Sequence, residues 1–224
     1  MIPTILSPGY FLHYSKEPGE YRHLFCGPHQ VPGAECPNCA KPLLRFFSFN
    51  TADPRLQALQ AIAPQLHLLN CWTCNLVQHP FYYQCLPDGS VRLLQYGIGG
   101  TVTDFPYPNY PRHFPGRFAS LTPLTPDEQY IIELLNNNDV NYYGNPEMAA
   151  LAIPTHQFGG EPWFVQSWDC CLQSCPVCHG SMRFFASVCD LCMLPQGFVD
   201  DRYVQMIFTL CPVCKVIGSV VHCD

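Results

Sequence analysis

Four Cys-x-x-Cys pairs constrain the fold of this chain more than any other feature. Two pairs lie in each half of the sequence, separated by 31 residues in the first half and by 32 in the second. Two residues between thiolates let both sulfurs of one turn reach a single ion, and two such turns complete a tetrahedral zinc site. The spacing therefore predicts two structural zinc ions. The eight predicted ligands are Cys36, Cys39, Cys71, Cys74, Cys175, Cys178, Cys211 and Cys214.

The pairing of these turns has an alternative. In a crossed arrangement, Cys36 and Cys39 share an ion with Cys211 and Cys214. Loop-closure entropy favours pairing within each half by only about 1 kcal/mol, so it does not decide the matter. Matching sequence around the pairs favours two separate sites.

The chain has 15 cysteines, so some lie outside the eight. Cys170, Cys171, Cys189 and Cys192 are candidates for a third metal site. Adjacent cysteines seldom ligate one ion together, and nothing repeats this pattern elsewhere. Free or structural thiols are the competing interpretation.

The repeat extends beyond the cysteines. Residues 45–47 read Arg-Phe-Phe, as do residues 183–185, although the second copy is shifted by one relative to its Cys-x-x-Cys pair. An apolar segment follows the last pair of each half and ends in a cysteine, Cys85 or Cys223, which we expect in strands rather than as ligands. The pattern predicts a β-rich α+β fold of two duplicated zinc-clamped antiparallel β units with a few short helices.

Three segments are predicted. Residues 1–90 form the first zinc-clamped unit, residues 91–152 a proline-rich connector, and residues 153–224 the second unit. The prolines of residues 105–126 predict an extended strap that covers the surface, rather than a strand in the interior of a sheet.

Local signals predict the helices. Thr125 is a candidate N-cap, and Pro126 follows it at the first position of a helix over 126–136. Residues 53–63 also have helical spacing, and a short helix is expected over 146–151.

Charge and composition exclude some function classes. Lys and Arg number 11 against 17 Asp and Glu, a net charge of −6, which lacks the footprint of a nucleic-acid binder. No apolar run approaches the roughly 18 residues that span a membrane. The N-terminal sequence does not resemble a signal peptide. We therefore expect a cytoplasmic protein, in which cysteines are reduced.

No motif of an enzyme is evident. Residues 97–100, Gly-Ile-Gly-Gly, are too short for a dinucleotide-binding fingerprint. His156, beside a Gly-Gly turn, is the best polar candidate, but a structural role is expected, and His179 is expected to tune the adjacent zinc thiolate. Four thiolates leave no coordination position for a catalytic water. The sequence thus predicts no catalytic residue and no cofactor besides zinc.

One further phrase carries a resemblance. Residues 159–166 read Gly-Gly-x-Pro-x-x-x-Gln, and Cys-Pro-x-Cys turns follow at 175–178 and 211–214. Over 153–224 this resembles the YwqG-like bacterial family of unknown function, and it is similar to the eukaryotic programmed-cell-death-protein-2-like family. The first half resembles them more weakly. The resemblance implies an internally duplicated, β-rich fold, and the eukaryotic relatives are associated with chaperoning a ribosomal protein.

The sequence therefore favours a zinc-stabilised, non-enzymatic protein that binds another polypeptide, as an assembly factor, chaperone or immunity-type protein. No nucleic acid and no membrane is expected as a partner. The alternative is a hydrolase or other enzyme with a site in the groove near His156 and Glu161.

Overall fold

A computed structural model describes residues 4–37, 39–72, 81–95, 111–136, 156–164, 173–190 and 204–223. The strands are β1 (Tyr10–Ser15), β2 (His23–Phe25), β3 (Leu44–Asn50), β4 (Gln65–Asn70), β5 (Phe81–Cys85), β6 (Val91–Gln95), β7 (Arg117–Pro123), β8 (His156–Phe158), β9 (Arg183–Asp190), β10 (Val204–Cys211) and β11 (Val216–Cys223). A 3-10 helix covers Pro54–Leu59, and α1 covers Pro126–Asn136. In the described part of the chain, no helix has the length and apolar character needed to cross a membrane.

These strands form one antiparallel sheet in the order β4-β3-β2-β7-β1-β8-β9-β10-β11-β5-β6. The sheet curls, because strands far apart in this order touch. The Tyr83 hydroxyl on β5 accepts a hydrogen bond from the Leu69 amide on β4 and donates one to the His67 carbonyl. The prediction of a β-rich fold is confirmed.

One apolar core fills the inside of the curl. Phe46 on β3 lies 6.1 Å from Phe208 on β10, and Phe49 lies 4.3 Å from Phe158 on β8, measured between ring centroids. All four rings are fully buried. Each contributes about 1.5–3 kcal/mol by burial, so aromatic residues from both halves of the chain stabilise the same core.

The first hairpin (β3 and β4) and the second hairpin (β9 and β10) have the same register. Adding 139 to a β3 number and 140 to a β4 number converts each pair from Leu44↔Asn70 to Asn50↔Gln65 into a pair of the second hairpin. Both hairpins also carry a one-residue β-bulge at the same place, Phe46 in the first and Phe185 in the second. A bulge is a specific irregularity, so its recurrence is strong evidence that the two hairpins are built alike.

This register corrects one detail of the predicted repeat. Arg45 corresponds to Phe184 and not to Arg183, because Arg45 pairs with Leu69 and Phe184 with Thr209. The Arg-Phe-Phe match that was shifted by one residue is therefore wrong as a structural equivalence. Cross-strand pairing and the bulge follow the spacing from the cysteines instead.

The strands beside the hairpins correspond as well. Phe25 on β2 faces Phe47 on β3, and Phe158 on β8 faces Ala186 on β9. In the middle of the sheet, β1 pairs with β7. The strands β2, β3 and β4 therefore lie on one side of this central pair, and β8, β9 and β10 lie on the other. This arrangement approximates a two-fold axis through the β1–β7 pair.

Strand β7 overturns part of the prediction for residues 105–126. Residues 117–123 lie inside the sheet, between β1 and β2, rather than in a covering strap. The prolines closest to the strand are Pro115, before it, and Pro123, its last residue. The stretch between them contains no proline and has Ala119 and Leu121 buried. Residues 105–110 lie outside the described residues.

The last strands break the symmetry. In the second half, β11 folds back onto β10, whereas in the first half β5 pairs with β11 and β6. Strands from all three predicted segments thus belong to one sheet, and the division into domains stays a prediction.

The helices follow their local signals with one difference. Helix α1 has the predicted bounds, and a capping box begins it, in which the Glu128 amide donates to Thr125 Oγ1 and the Thr125 amide to Glu128 Oε2. Residues 54–59 form a 3-10 helix capped by Asp53, shorter than the stretch with helical spacing. The predicted helix over 146–151 lies outside the described residues.

Candidate metal centres

The second half brings four predicted ligands together. The Sγ atoms of Cys175, Cys178, Cys211 and Cys214 all lie within 4.8 Å of one another. The Cys178–Cys211 pair is 3.8 Å apart. A tetrahedron with Zn–S bonds of about 2.3 Å has sulfurs about 3.8 Å apart, whereas a disulfide bond is about 2.05 Å long. The spacing therefore suits a tetrahedral metal ion.

The first half brings three predicted ligands together. The Sγ atoms of Cys36, Cys39 and Cys71 also lie within 4.8 Å of one another, and the Cys39 and Cys71 sulfurs are 3.7 Å apart. Cys74 lies outside the described residues. Each group contains cysteines of a single half, so the described cysteines do not follow the crossed arrangement.

Three Cys-x-x-Cys turns, which we call knuckles, share one backbone conformation. The residue after the second cysteine has a left-handed φ of +52° at Ala40, +58° at His179 and +58° at Lys215. Left-handed φ is uncommon without glycine. It lets the chain double back, so that both sulfurs of a knuckle face the same point.

Backbone hydrogen bonds close the knuckles of the first pairs identically. The Ala40 amide donates to the Cys36 carbonyl, and the His179 amide donates to the Cys175 carbonyl, each at 2.8 Å. The two cysteine amides donate in turn to the carbonyls of Lys41 and Gly180, also at 2.8 Å. Each cysteine is thus held before the hairpin that follows it.

Amide donors favour thiolate at the second group. A hydrogen bond from the Gly180 backbone, followed by one from the Cys214 side chain, lowers the pKa of Cys178 to about 7. The Cys214 amide also lies 3.5 Å from the Cys211 sulfur. The thiolate is the form that binds metal, so Cys178 is the ligand best prepared for a cation. Burial raises the pKa of Cys211, and a hydrogen bond with Cys178 raises the pKa of Cys214 to about 12.

The other cysteines have a different setting. Cys26, Cys85 and Cys189 are buried, and burial raises the pKa of each. They lie outside both cysteine groups and behave as apolar core residues. Cys170, Cys171 and Cys192 lie outside the described residues, so a third site stays a prediction.

His156, the best polar candidate for chemistry, is buried and has both ring nitrogens in hydrogen bonds. The Cys189 amide donates to Nδ1 at 3.2 Å, and Nε2 lies 2.7 Å from the Tyr14 hydroxyl. Glu161, its predicted companion, holds the Gln157 side chain through its backbone carbonyl. This geometry serves to fix β8 against β9.

His23 is the counterpart of His156 in the first half. Its Nδ1 accepts from the Asn50 amide at 3.1 Å, and its Nε2 lies 2.9 Å from Asp53. Asn50 and Cys189 are equivalent in the two hairpins. In both halves the histidine stands three residues before a left-handed turn, and this repeated spacing was the available signal.

The exposed residues of the knuckles were also missed. Val177 is 51% exposed and Val213 is 83% exposed, each as the third residue of a Cys-Pro-Val-Cys turn. Repetition of the same apolar residue in two turns that meet at one site was the available signal.

Comparison with known proteins adds no assignment: no family model matches the chain, and a search of curated proteins finds no match. The resemblance to the YwqG-like and programmed-cell-death-protein-2-like families therefore stays a prediction.

Proposed function

We propose that each cysteine group holds one zinc ion in a structural site, with Cys74 as the fourth ligand of the first. The separations of 3.7 Å and 3.8 Å between sulfurs carry this proposal. Thiolate ligands in a tetrahedral arrangement select zinc among the common divalent ions. With four thiolates there is no open position for substrate, so the metal supports folding rather than catalysis.

We infer further that the chain contains two duplicated zinc-clamped β units. The shared register, the shared bulge and the matching histidines support this reading. Each unit consists of a hairpin with a knuckle before its first strand and another after its second. Zinc between the knuckles holds the two ends of the hairpin together.

The function that this arrangement supports best is binding of another polypeptide by a non-enzymatic module, as an assembly factor, chaperone or immunity-type protein. The exposed valines at the second centre favour it. Val177 and Val213 are exposed on two knuckles whose sulfurs lie within 4.8 Å of one another, and we call these two residues the valine tip. Contiguous exposed apolar patches mark sites of protein contact, whereas single exposed apolar residues are ordinary, so the proposal rests on the two valines acting together. The ten cysteines with described side chains form no disulfide bond with one another, which supports a cytoplasmic location.

Elemental analysis tests the metal sites. The purified protein should contain two zinc ions per chain, and Cys211→Ala should contain one. Cys189→Ala is the matched control, because Cys189 lies on the same hairpin but outside the group. Loss of structural zinc should also destabilise the protein strongly, since each site contributes on the order of 10 kcal/mol in finger peptides. A folded protein without zinc contradicts the proposal.

Crosslinking in cells followed by affinity isolation tests the binding role. The wild-type chain should recover a polypeptide that the double variant Val177→Ser, Val213→Ser recovers poorly. Tyr130→Ser is the control, because Tyr130 is 59% exposed and lies on α1, outside both knuckles. Zinc content shows that each variant is folded. Equal recovery by the double variant and the wild type would argue against the valine tip as the contact.

A further inference from the structure

A cavity of about 690 Å³ lies where β1 ends and β7 begins. Glycines form part of its wall, since Gly27 and Gly116 approach so closely that a Cβ on either would lie about 3.0 Å or less from the other backbone. Its volume is that of a site for one small organic molecule. The lining residues are Tyr14, Ser15, Lys16, Leu24, Cys26, Gly27, Pro28, Arg45, Gly116, Arg117 and Phe118.

The charge of this lining is opposite to that of the molecule. Lys16, Arg45 and Arg117 supply three of the chain's 11 basic residues, and none of the described lining residues is Asp or Glu. The whole chain carries a net charge of −6. A cavity with walls of low polarity concentrates the field of such cations and attracts anions.

Arg45 has the most unusual environment of the three. It is only 8% exposed, and its Nε donates to the Cys26 carbonyl at 2.8 Å. Among the described residues, no carboxylate forms an ion pair with it. A buried guanidinium normally has an anionic partner, because burial of an unpaired charge is costly. The terminal nitrogens, one of them beside Gly27, are the groups left to bind one.

The second half shows that the fold does not need these charges. By strand register, Phe184 corresponds to Arg45 and Tyr10 corresponds to Arg117. Phe184 is fully buried, and Tyr10 packs against the ring of Phe158. The two positions thus hold aromatic residues in the second half and arginines in the first half. Packing alone does not require the arginines, so we infer that they have another role.

We propose that this cavity binds a small organic anion, with its carboxylate or phosphate group between Arg45 and Arg117 and its apolar body against Leu24 and Phe118. Arginine suits this role because its planar donors match the oxygens of both groups. Arg117 is exposed and lies over the Tyr14 ring, 5.1 Å from its centroid, which holds it at the mouth of the cavity. This site is separate from the cysteine groups and does not depend on the proposed binding of a polypeptide.

Calorimetric titration with three matched probes tests the proposal. Benzoate, phenyl phosphate and neutral benzamide share one aromatic ring and differ in charge. At least one of the two anions should bind, and benzamide should bind at least about tenfold more weakly. The anion that binds more tightly distinguishes a carboxylate ligand from a phosphate ligand.

Variants locate the binding. Arg45→Met and Arg117→Gln should each weaken binding of the preferred anion by about tenfold or more. Arg183→Gln is the control, because it removes the same charge from the equivalent hairpin and Arg183 is exposed outside the cavity. If Arg45→Met fails to fold, Arg117→Gln decides the question, since Arg117 is an exposed residue.

Three outcomes would overturn the proposal. Neither anion binds, benzamide binds as tightly as the anions, or Arg117→Gln binds as tightly as wild type. Zinc content and the melting curve, measured on each variant, separate a failure of this site from a failure of the metal centres.

Discussion

Equivalent residues of the two halves have the same chemistry where they bind the backbone, and some differ in chemistry where they do not. His23 and His156 each accept a hydrogen bond from a backbone amide of the neighbouring strand, so both have the same structural role. Arg45 and Phe184 occupy equivalent positions with opposite chemistry. Differences of this second kind mark where one half has a role that the other lacks.

The cysteine groups could be predicted at this scale, because ligand spacing within a knuckle is a local property of the chain. The equivalence of Arg45 and Phe184 could not. It depends on which strand each residue faces and on a bulge, and both are set by contacts with distant residues. Aligning the two Arg-Phe-Phe copies, 45–47 and 183–185, therefore places the second hairpin one residue out of register.

His67 should make stability depend on pH. It is buried, with Nδ1 2.7 Å from the Ser48 hydroxyl, and burial, assisted by the charges of Arg45 and His29, lowers its pKa to about 4. Because the folded-state pKa lies below the unfolded value of about 6.5, this histidine contributes stability that is complete above pH 6.5. That contribution is lost as the pH falls toward 4, by about 3 kcal/mol in all.

Urea unfolding of wild type and His67→Gln at pH 7 and pH 5 checks this dependence. Glutamine does not titrate, and loss of the proposed zinc ions in acid should affect both proteins alike. The stability advantage of wild type should shrink by about 2 kcal/mol between the two pH values. An advantage of the same size at both would show that His67 is not held neutral.

Among helices and strands, capping residues predicted helix α1 correctly, whereas the proline content averaged over 105–126 did not predict strand β7. Helix α1 was predictable because its capping residues lie within its own first turn. Strand β7 was missed because the number of prolines in 105–126 outweighed the short stretch without them. The pairing of β5 with β11 instead of β4 was beyond prediction, because nothing in the sequence of β5 identifies a partner more than 100 residues away.

The knuckles allow a stabilising substitution. His179 is exposed and holds a φ of +58°, a conformation that costs a residue with a side chain about 1 kcal/mol relative to glycine. His179→Gly should therefore raise the free energy of unfolding by about that amount with zinc content unchanged. If His179 tunes the zinc shell, as the sequence suggested, the same variant should instead release zinc more readily.

Ser181→Gly is the matched control. Ser181 is also exposed and close to the second group, but its φ is not in the left-handed region. Glycine there should lower the free energy of unfolding, because it only adds freedom to the unfolded chain. Denaturant titration of the two variants should give changes of opposite sign.

The described strands form one sheet around one main core, although the sequence reads as two units. Aromatic residues from both hairpins touch in the core, and β5, from the first half, completes the sheet against β11, from the second. Strand β1, near the N-terminus, lies beside β8. Each half therefore buries its apolar face against the other, so neither has a complete core of its own.

We accordingly expect the two halves to unfold in a single transition. Trp72 reports on the first half, where it packs against Phe46. Trp163 reports on the second half through β10, because the Gln205 side chain donates to its carbonyl at 2.8 Å, while its ring packs against Phe11, Leu124 and Ile132. Two variants each retain one of these tryptophans, with the other and Trp168 replaced by phenylalanine. Their thermal midpoints by fluorescence should coincide, because a shared core cannot be lost from one side alone.

Loss of one zinc ion gives the sharper form of this test. Adding Cys211→Ala to the variant that retains Trp72 removes a sulfur from the second group only. If the core couples the halves, the midpoint reported by Trp72 should fall as far as the midpoint reported by Trp163 in the corresponding variant. If the predicted zinc-clamped units 1–90 and 153–224 instead unfold independently, Trp72 should melt at its original temperature while Trp163 melts earlier. The size of the shift at Trp72 thus measures how much of the stability from the second centre passes through the aromatic contacts between the hairpins.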